Sequence, residues 1–201
     1  MESRFPNLLE ELLEKLCKFP GIGRRSAERI IFHILKMEKE EVEKLTRKIL
    51  EVRNTVKPCK LCNNFSTQQI CSICSNHKRD RHTICVVEEP KDILAIEKTG
   101  RYHGVYYVLL GSISPLQGIG PEELNIERLL TRIEREKIKE VIIATDPDND
   151  GELTFQFLVK KLAKYPVRIY RIGIGIPLGT QIEYIDSATL GKAILDRRSI
   201  S

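Results

Sequence analysis

Long apolar runs are missing from this chain of 201 residues. A membrane-spanning helix needs about 18 or more uninterrupted apolar residues, so a helical membrane protein is excluded. The opening stretch MESRFPNLLEELLEK carries acids early and has no apolar h-region. No secretory signal is therefore expected, and the expected location is the cytoplasm. Glycine and proline number only 12 and 9, too few for a collagen-like chain. Fixed-period repeats and low-complexity tracts are also missing, which excludes solenoids and arrays. What is present fits an ordinary globular chain: 41% apolar and 30% charged residues, enough apolar content to exclude disorder. The length suits one or two domains, or three small ones.

The net charge of +5 is unevenly spread. Residues 1–83 carry +6 and residues 84–201 carry −1. Polyanion binding, if present, belongs to the front half, although a solvated basic surface explains +6 equally well. Of 6 cysteines, Cys59, Cys62, Cys71 and Cys74 fall within 16 residues. In a reducing compartment such a cluster points to metal rather than disulfides.

Hydrophobic spacing predicts helices over 7–19, 24–36 and about 38–55, with Leu8, Leu9, Leu12, Leu13, Leu16 and Phe19 on the stripe of the first. Residues 57–78 read as a cysteine-bearing loop region. From residue 84 the pattern alternates. Short apolar runs at 84–87, 105–110, 140–144 and 167–172 are separated by helical stretches near 91–99, 121–136 and 151–164. That order predicts a mostly parallel α/β sheet, followed by a short tail helix over 187–198. The expected fold class is α/β: an N-terminal helical hairpin module (1–56), a small zinc knuckle (57–80), a mostly parallel α/β domain (81–174) and a C-terminal tail (175–201).

Between the first two helices stands Phe19-Pro20-Gly21-Ile22-Gly23-Arg24-Arg25-Ser26-Ala27-Glu28-Arg29. Gly21 and Gly23 permit a sharp turn and close backbone approach. The second helix then offers free N–H groups, which favour a phosphate. Lys18, Arg24, Arg25 and Arg29 cluster there, although cations oppose the macrodipole at a helix start. An anion to be bound explains them better than helix stability does. The plainer alternative is a helix–helix turn with Ile22 as a packing plug. The stretch resembles a helix-hairpin-helix DNA-binding motif, which reads backbone rather than bases.

Cys59-x2-Cys62-x8-Cys71-x2-Cys74 places two thiolate pairs on two tight turns, the arrangement that closes a tetrahedron around one zinc ion. A closed site of this kind is structural. Two pairs in a loop argue against a redox Cys-x2-Cys, which needs one pair on a βαβ scaffold. Cys17 and Cys85 sit in apolar contexts and are expected in the core.

Two acidic groups follow strands: Glu88 after the first, and Asp146, Asp148, Asp150 and Glu152 after the third. Four carboxylates in seven residues repel unless a cation or a basic partner is near, and hard oxygen ligands suit Mg²⁺. An EF-hand is excluded, because its twelfth position is Phe157 and a strand precedes it. A helix cap explains one acid of the four.

Glu88 with Asp146-x-Asp148 resembles the Toprim domain, which implies Mg²⁺ binding and, in its enzymes, phosphodiester chemistry. In the order hairpin motif, four-cysteine motif, Toprim, the whole chain resembles the RecR family of bacterial recombination mediators. Further matching stretches are Ser114-Pro115-Leu116-x-Gly118-Ile119-Gly120-Pro121 and the tail from Gly175-Ile176-Pro177 to Arg197-Arg198. The resemblance implies a non-enzymatic, DNA-binding protein that works with RecO and RecF. It implies help in loading RecA onto single-stranded DNA covered by single-strand binding protein, and a ring-like tetramer. It matches the family's DNA-contacting positions to Arg25 and Arg29. Departures are the intact Asp146-Pro147-Asp148, Asp150 in place of Glu, and Ile174 in place of a basic residue. The first keeps open a compact Mg²⁺-dependent Toprim nuclease, with Glu88 as general acid/base. A zinc-containing adaptor for other proteins is a third class, separable by DNA binding.

Overall fold

The computed structural model describes residues 6–173 and 175–197. Ile174 and Arg198 lie outside the described residues. The chain divides into two compact units, residues 1–55 and 56–201.

The first unit is helical: α1 (Asn7–Cys17), α2 (Arg24–Ile34) and α3 (Lys39–Thr55). Leu13, Ala27 and Ile31 form its small buried core, with Leu9, Leu16, Cys17 and Ile22 packed partly against it. Of the expected α1 stripe, Leu8, Leu12 and Phe19 are exposed. A two-helix hairpin has one mating face, and six apolar side chains overfill it. Cys17 accordingly lies at the core's edge rather than inside it. In α3, Glu40 and Glu41 in the first turn and Arg53 in the last suit the macrodipole. No α3 side chain is buried.

The second unit opens with the cysteine segment, which is more ordered than the expected loop. Strands β1 (Lys57–Pro58) and β2 (Phe65–Ser66) pair antiparallel, and α4 (Ser72–Ser75) carries Cys74. An α/β layer follows: β3 (Asp80–Val87), α5 (Pro90–Lys98), β4 (Gly104–Val108), α6 (Ile126–Glu136), β5 (Glu140–Ala144), α7 (Asn149–Leu162), β6 (Arg168–Arg171) and α8 (Ser187–Leu195). The four long strands are all parallel in the order β4-β3-β5-β6. Their continuous apolar runs follow from burial on both faces. Ile84 and Val86 face the larger core under α6 and α7, while Cys85 and Val87 face the smaller one under α5.

One expected helix is two pieces. Pro121–Leu124 forms a 3₁₀ turn, and Asn125 at φ +51° breaks the chain before α6. Asparagine tolerates this left-handed conformation better than most residues. The tail helix ends at Leu195, three residues short of the expectation.

From β3 the chain runs outward to β4, then crosses back over β3 to β5. The connection reverses direction between β3 and β5, and such a switch point opens a crevice at the strands' carboxyl ends. Val87 is in register with Val108 on one side and Ala144 on the other. Glu88 and Thr145 therefore leave the sheet side by side.

Candidate functional sites

In the cysteine knuckle, Cys59, Cys62, Cys71 and Cys74 are all buried, and their sulfurs lie within 4.8 Å of one another. Cys62 Sγ and Cys71 Sγ are 3.5 Å apart. Ligands on a zinc–sulfur tetrahedron stand about 3.8 Å apart, so the donor set fits zinc. Backbone N–H groups of Leu61 and Cys71 donate to Cys59 Sγ at 3.4 and 3.3 Å. Four thiols this close cannot all ionise without a cation. Hydrogen bonding between Cys62 and Cys71 pushes the Cys62 thiol up and the Cys71 thiol down, to about 2. Cys85, by contrast, is pushed up to about 12 by burial, an inert core thiol.

At the acidic edge, Glu88 is 8% exposed. Its Oε1 accepts the Asp146 N–H at 3.0 Å, a bond that ties the end of β3 to the end of β5. Burial raises its pKa to about 7; the Asp146 N–H opposes the rise, and the charges of Asp146 and Asp148 add to it. A Cβ on Gly151 would collide with the Asp146 carbonyl oxygen and lie 3.0 Å from Glu88 Oε1. Only glycine lets α7 start so close to these acids.

Asp148 is the N-cap of α7, its Oδ1 accepting the Gly151 N–H at 2.8 Å. The capping account therefore holds for this one acid. Asp146 is exposed and Asp150 half-buried. Glu152 has a basic partner within the chain. Arg171 Nη2 holds it at 2.6 Å, while the same guanidinium stacks on Phe155 at 4.3 Å. The acids also do not converge as a ligand set. Among the described residues, only the four cysteines form a group of three or more possible metal ligands within mutual reach. The Thr145 hydroxyl beside Asp146 is buried without a hydrogen-bond partner among the described residues. A cleft of about 620 Å³, lined by Pro147, Glu152, Arg171, Tyr184 and Lys192 among others, opens at this edge.

In the helical unit, Gly21 adopts φ +77°, which makes the turn. Gly23 needs no special dihedral. It is the N-cap of α2 at φ −84° with no side-chain cap, and a Cβ there would meet nothing within 4 Å. The space beside Gly23 is thus not used by the chain itself. Arg24 is committed elsewhere: Nη1 meets Glu10 Oε1 at 2.8 Å and Nε meets Glu28 Oε1 at 3.3 Å. Lys18, Arg25 and Arg29 are exposed and make no ion pair among the described residues. Arg25 and Arg29, four residues apart on α2, share a face.

Sequence reasoning overlooked Asn63, Arg128 and Arg132. Asn63 is buried at φ +62°, and Arg132 is 4% exposed. Both pack the knuckle onto the sheet. The available signal was an arginine in the apolar phase of α6, between Leu129 and Ile133.

Comparison with known families agrees with this geometry. Residues 9–53 match a family model described as RecR, helix-hairpin-helix, and residues 56–76 match the model of the RecR four-cysteine zinc finger domain. Residues 82–173 match the Toprim domain, and 175–198 a model described as RecR, C-terminal. The chain is therefore a Toprim protein with hairpin and zinc modules in front, and the knuckle is a structural zinc site.

Recombination protein RecR of Leifsonia xyli subsp. xyli is 46% identical over 98% of this chain and 100% of its own. The protein of the same name from Desulforudis audaxviator is 45% identical over 94% of this chain and 96% of its own. That of Acidothermus cellulolyticus is 43% identical over 98% of each. The chain belongs to the RecR family.

Proposed function

We propose that this protein is a DNA-binding mediator of recombinational repair that performs no chemistry on DNA. The observation that carries the reading is the start of α2, where Arg25 and Arg29 make no ion pair among the described residues and Gly23 is open and uncapped. Free N–H groups and two arginines suit a phosphate backbone and are indifferent to base sequence. Both single- and double-stranded DNA are its ligands, with Lys18 and the Gly21–Gly23 turn beside the contact. Arg24, held by Glu10 and Glu28, shapes the turn.

Family membership supports the mediator role: action with RecO and RecF to help RecA load onto single-stranded DNA covered by single-strand binding protein. The exposed Asp146 and Asp148 offer an acidic surface for a basic partner protein. Absence of turnover is favoured by Glu88 itself. Its carboxylate is committed to the Asp146 N–H, and the acids do not meet as a ligand set. Assembly into a ring tetramer multiplies a contact too small to act alone. The exposed apolar side chains Leu8, Leu12, Leu45 and Ile49 supply faces for it.

The test is RecA filament formation on DNA coated with single-strand binding protein, with RecO present. Adding this protein should speed filament growth, and the Arg25→Ala/Arg29→Ala variant should not. No acceleration by the unaltered protein would refute the mediator role.

A further inference from the structure

We infer that Arg128 and Arg132 of α6 are positioning residues for the zinc ion: they grip the Cys59–Cys62 turn from outside and aim its N–H groups at sulfur. Arg132 is buried on the apolar side of α6 between Leu129 and Ile133. A buried guanidinium is costly unless its donors are matched. Arg132 Nη1 donates to the Leu61 carbonyl at 3.0 Å and to the Tyr106 carbonyl at 2.8 Å. Its Nε forms an ion pair with Glu136 at 3.1 Å that lacks hydrogen-bond geometry. One turn earlier, Arg128 donates to the Lys60 carbonyl and, at 3.2 Å, to Asn63 Oδ1.

Lys60 and Leu61 are the whole spacer between Cys59 and Cys62, and an arginine of α6 takes each of their carbonyls. The next two residues are also tied to the sheet. Cys62 O accepts the Val108 N–H at 2.8 Å, and Asn63 Nδ2 donates to the Val108 carbonyl at 2.8 Å. Four successive residues of the turn thus lean on α6 and the end of β4.

Peptide planarity turns this grip into orientation. The Lys60 carbonyl and the Leu61 N–H belong to one rigid trans peptide and point in opposite directions. Arg128 holds the oxygen end, and the N–H end donates to Cys59 Sγ at 3.4 Å. Charge acts in the same sense. A zinc ion with four thiolates carries a net charge of about −2, and two guanidiniums stand at the turn that supplies two of those thiolates. Neighbours that orient metal ligands commonly matter about 10- to 100-fold in metal affinity.

The experiment uses full-length, zinc-loaded protein with Arg128→Ala, Arg128→Lys and, two turns on, Arg135→Ala, whose contact is a surface pair with Glu136. Zinc affinity is read by competition with a chromophoric chelator. The thiolate-to-metal charge-transfer band is read on the Co²⁺-substituted forms. Amide exchange is followed at Val141 and Ile143 of β5. Both Arg128 variants should bind zinc roughly 10-fold more weakly or worse and shift the Co²⁺ band, because lysine cannot hold two acceptors in one fork. Arg135→Ala should match the unaltered protein, and β5 exchange should stay unchanged throughout. An Arg128→Lys variant with unaltered affinity and spectrum would overturn the inference. So would an equal loss in Arg135→Ala, or weakened zinc binding accompanied by faster exchange in β5.

Discussion

Glu88 shows how much one side chain decides. The end of β3 delivers it to the switch point, and burial makes its ionised form expensive. Its folded pKa of about 7 lies above the ordinary 4.5, so folding favours the protonated form. The stabilisation is complete below the unfolded value and is lost as pH rises through about 7. A shift of this size corresponds to about 3 kcal/mol. Glu88→Gln keeps the acceptor for the Asp146 N–H and never ionises. Its melting temperature should therefore exceed that of the unaltered protein at pH 8, with the gap closing at pH 5. Calorimetry at the two pH values checks this. Added Mg²⁺ at pH 8 should leave both melting temperatures unmoved, because the acids do not converge as a ligand set. At this scale the sequence was legible where position in the chain sets the role: Glu88 and Asp146 follow apolar strand runs, and the cysteine spacing names its metal. Arg132 and Asn63 were not legible. Their partners are carbonyls up to 71 residues away, which no local pattern encodes.

Among the elements, α3 is the least explained by its own chain. Leu45, Ile49, Leu50 and Val52 are all exposed, and no α3 side chain is buried. An amphipathic helix whose apolar face is largely exposed among the described residues marks an interaction surface. Ile49→Glu should leave the fold intact, because Ile49 packs in no core of the chain, and should reduce the mass of the assembly. DNA affinity should fall with it, since avidity depends on repeating the hairpin motif. Light scattering and DNA titration on the same samples test this. Unchanged mass would remove α3 from the interface, and unchanged affinity at lower mass would refute the avidity argument. Element types were readable from periodicity, because parallel strands and amphipathic helices carry distinct spacings. Element ends were less so. The break at Asn125 depends on one left-handed residue inside a helix-like pattern. The exposure of Leu8 and Phe19 depends on how many partners α1 has, which the stripe itself does not state.

For the whole molecule, the basic turn and the acidic edge belong to different units. The basic charge lies in the front half, where α2 opens with an uncapped Gly23 and two arginines that make no ion pair among the described residues. The Toprim acids stand on the other unit, one capping its own helix and another held by Arg171. Arg132 and Asn63 join the knuckle to the sheet that presents those acids. Among the described residues no helix is long and apolar enough to cross a membrane. The central claim is that this protein holds DNA by its backbone and leaves it intact. Labelled single- and double-stranded DNA, incubated with the protein and Mg²⁺ or Mn²⁺ over a range of salt, tests both halves at once. The account predicts full-length DNA throughout. It also predicts binding that weakens with salt, with a slope reduced by about one for each lost phosphate contact in Arg25→Ala and Arg29→Ala. Metal-dependent cleavage abolished by Glu88→Gln, or undiminished binding by the double arginine variant at about 0.15 M salt, would contradict it.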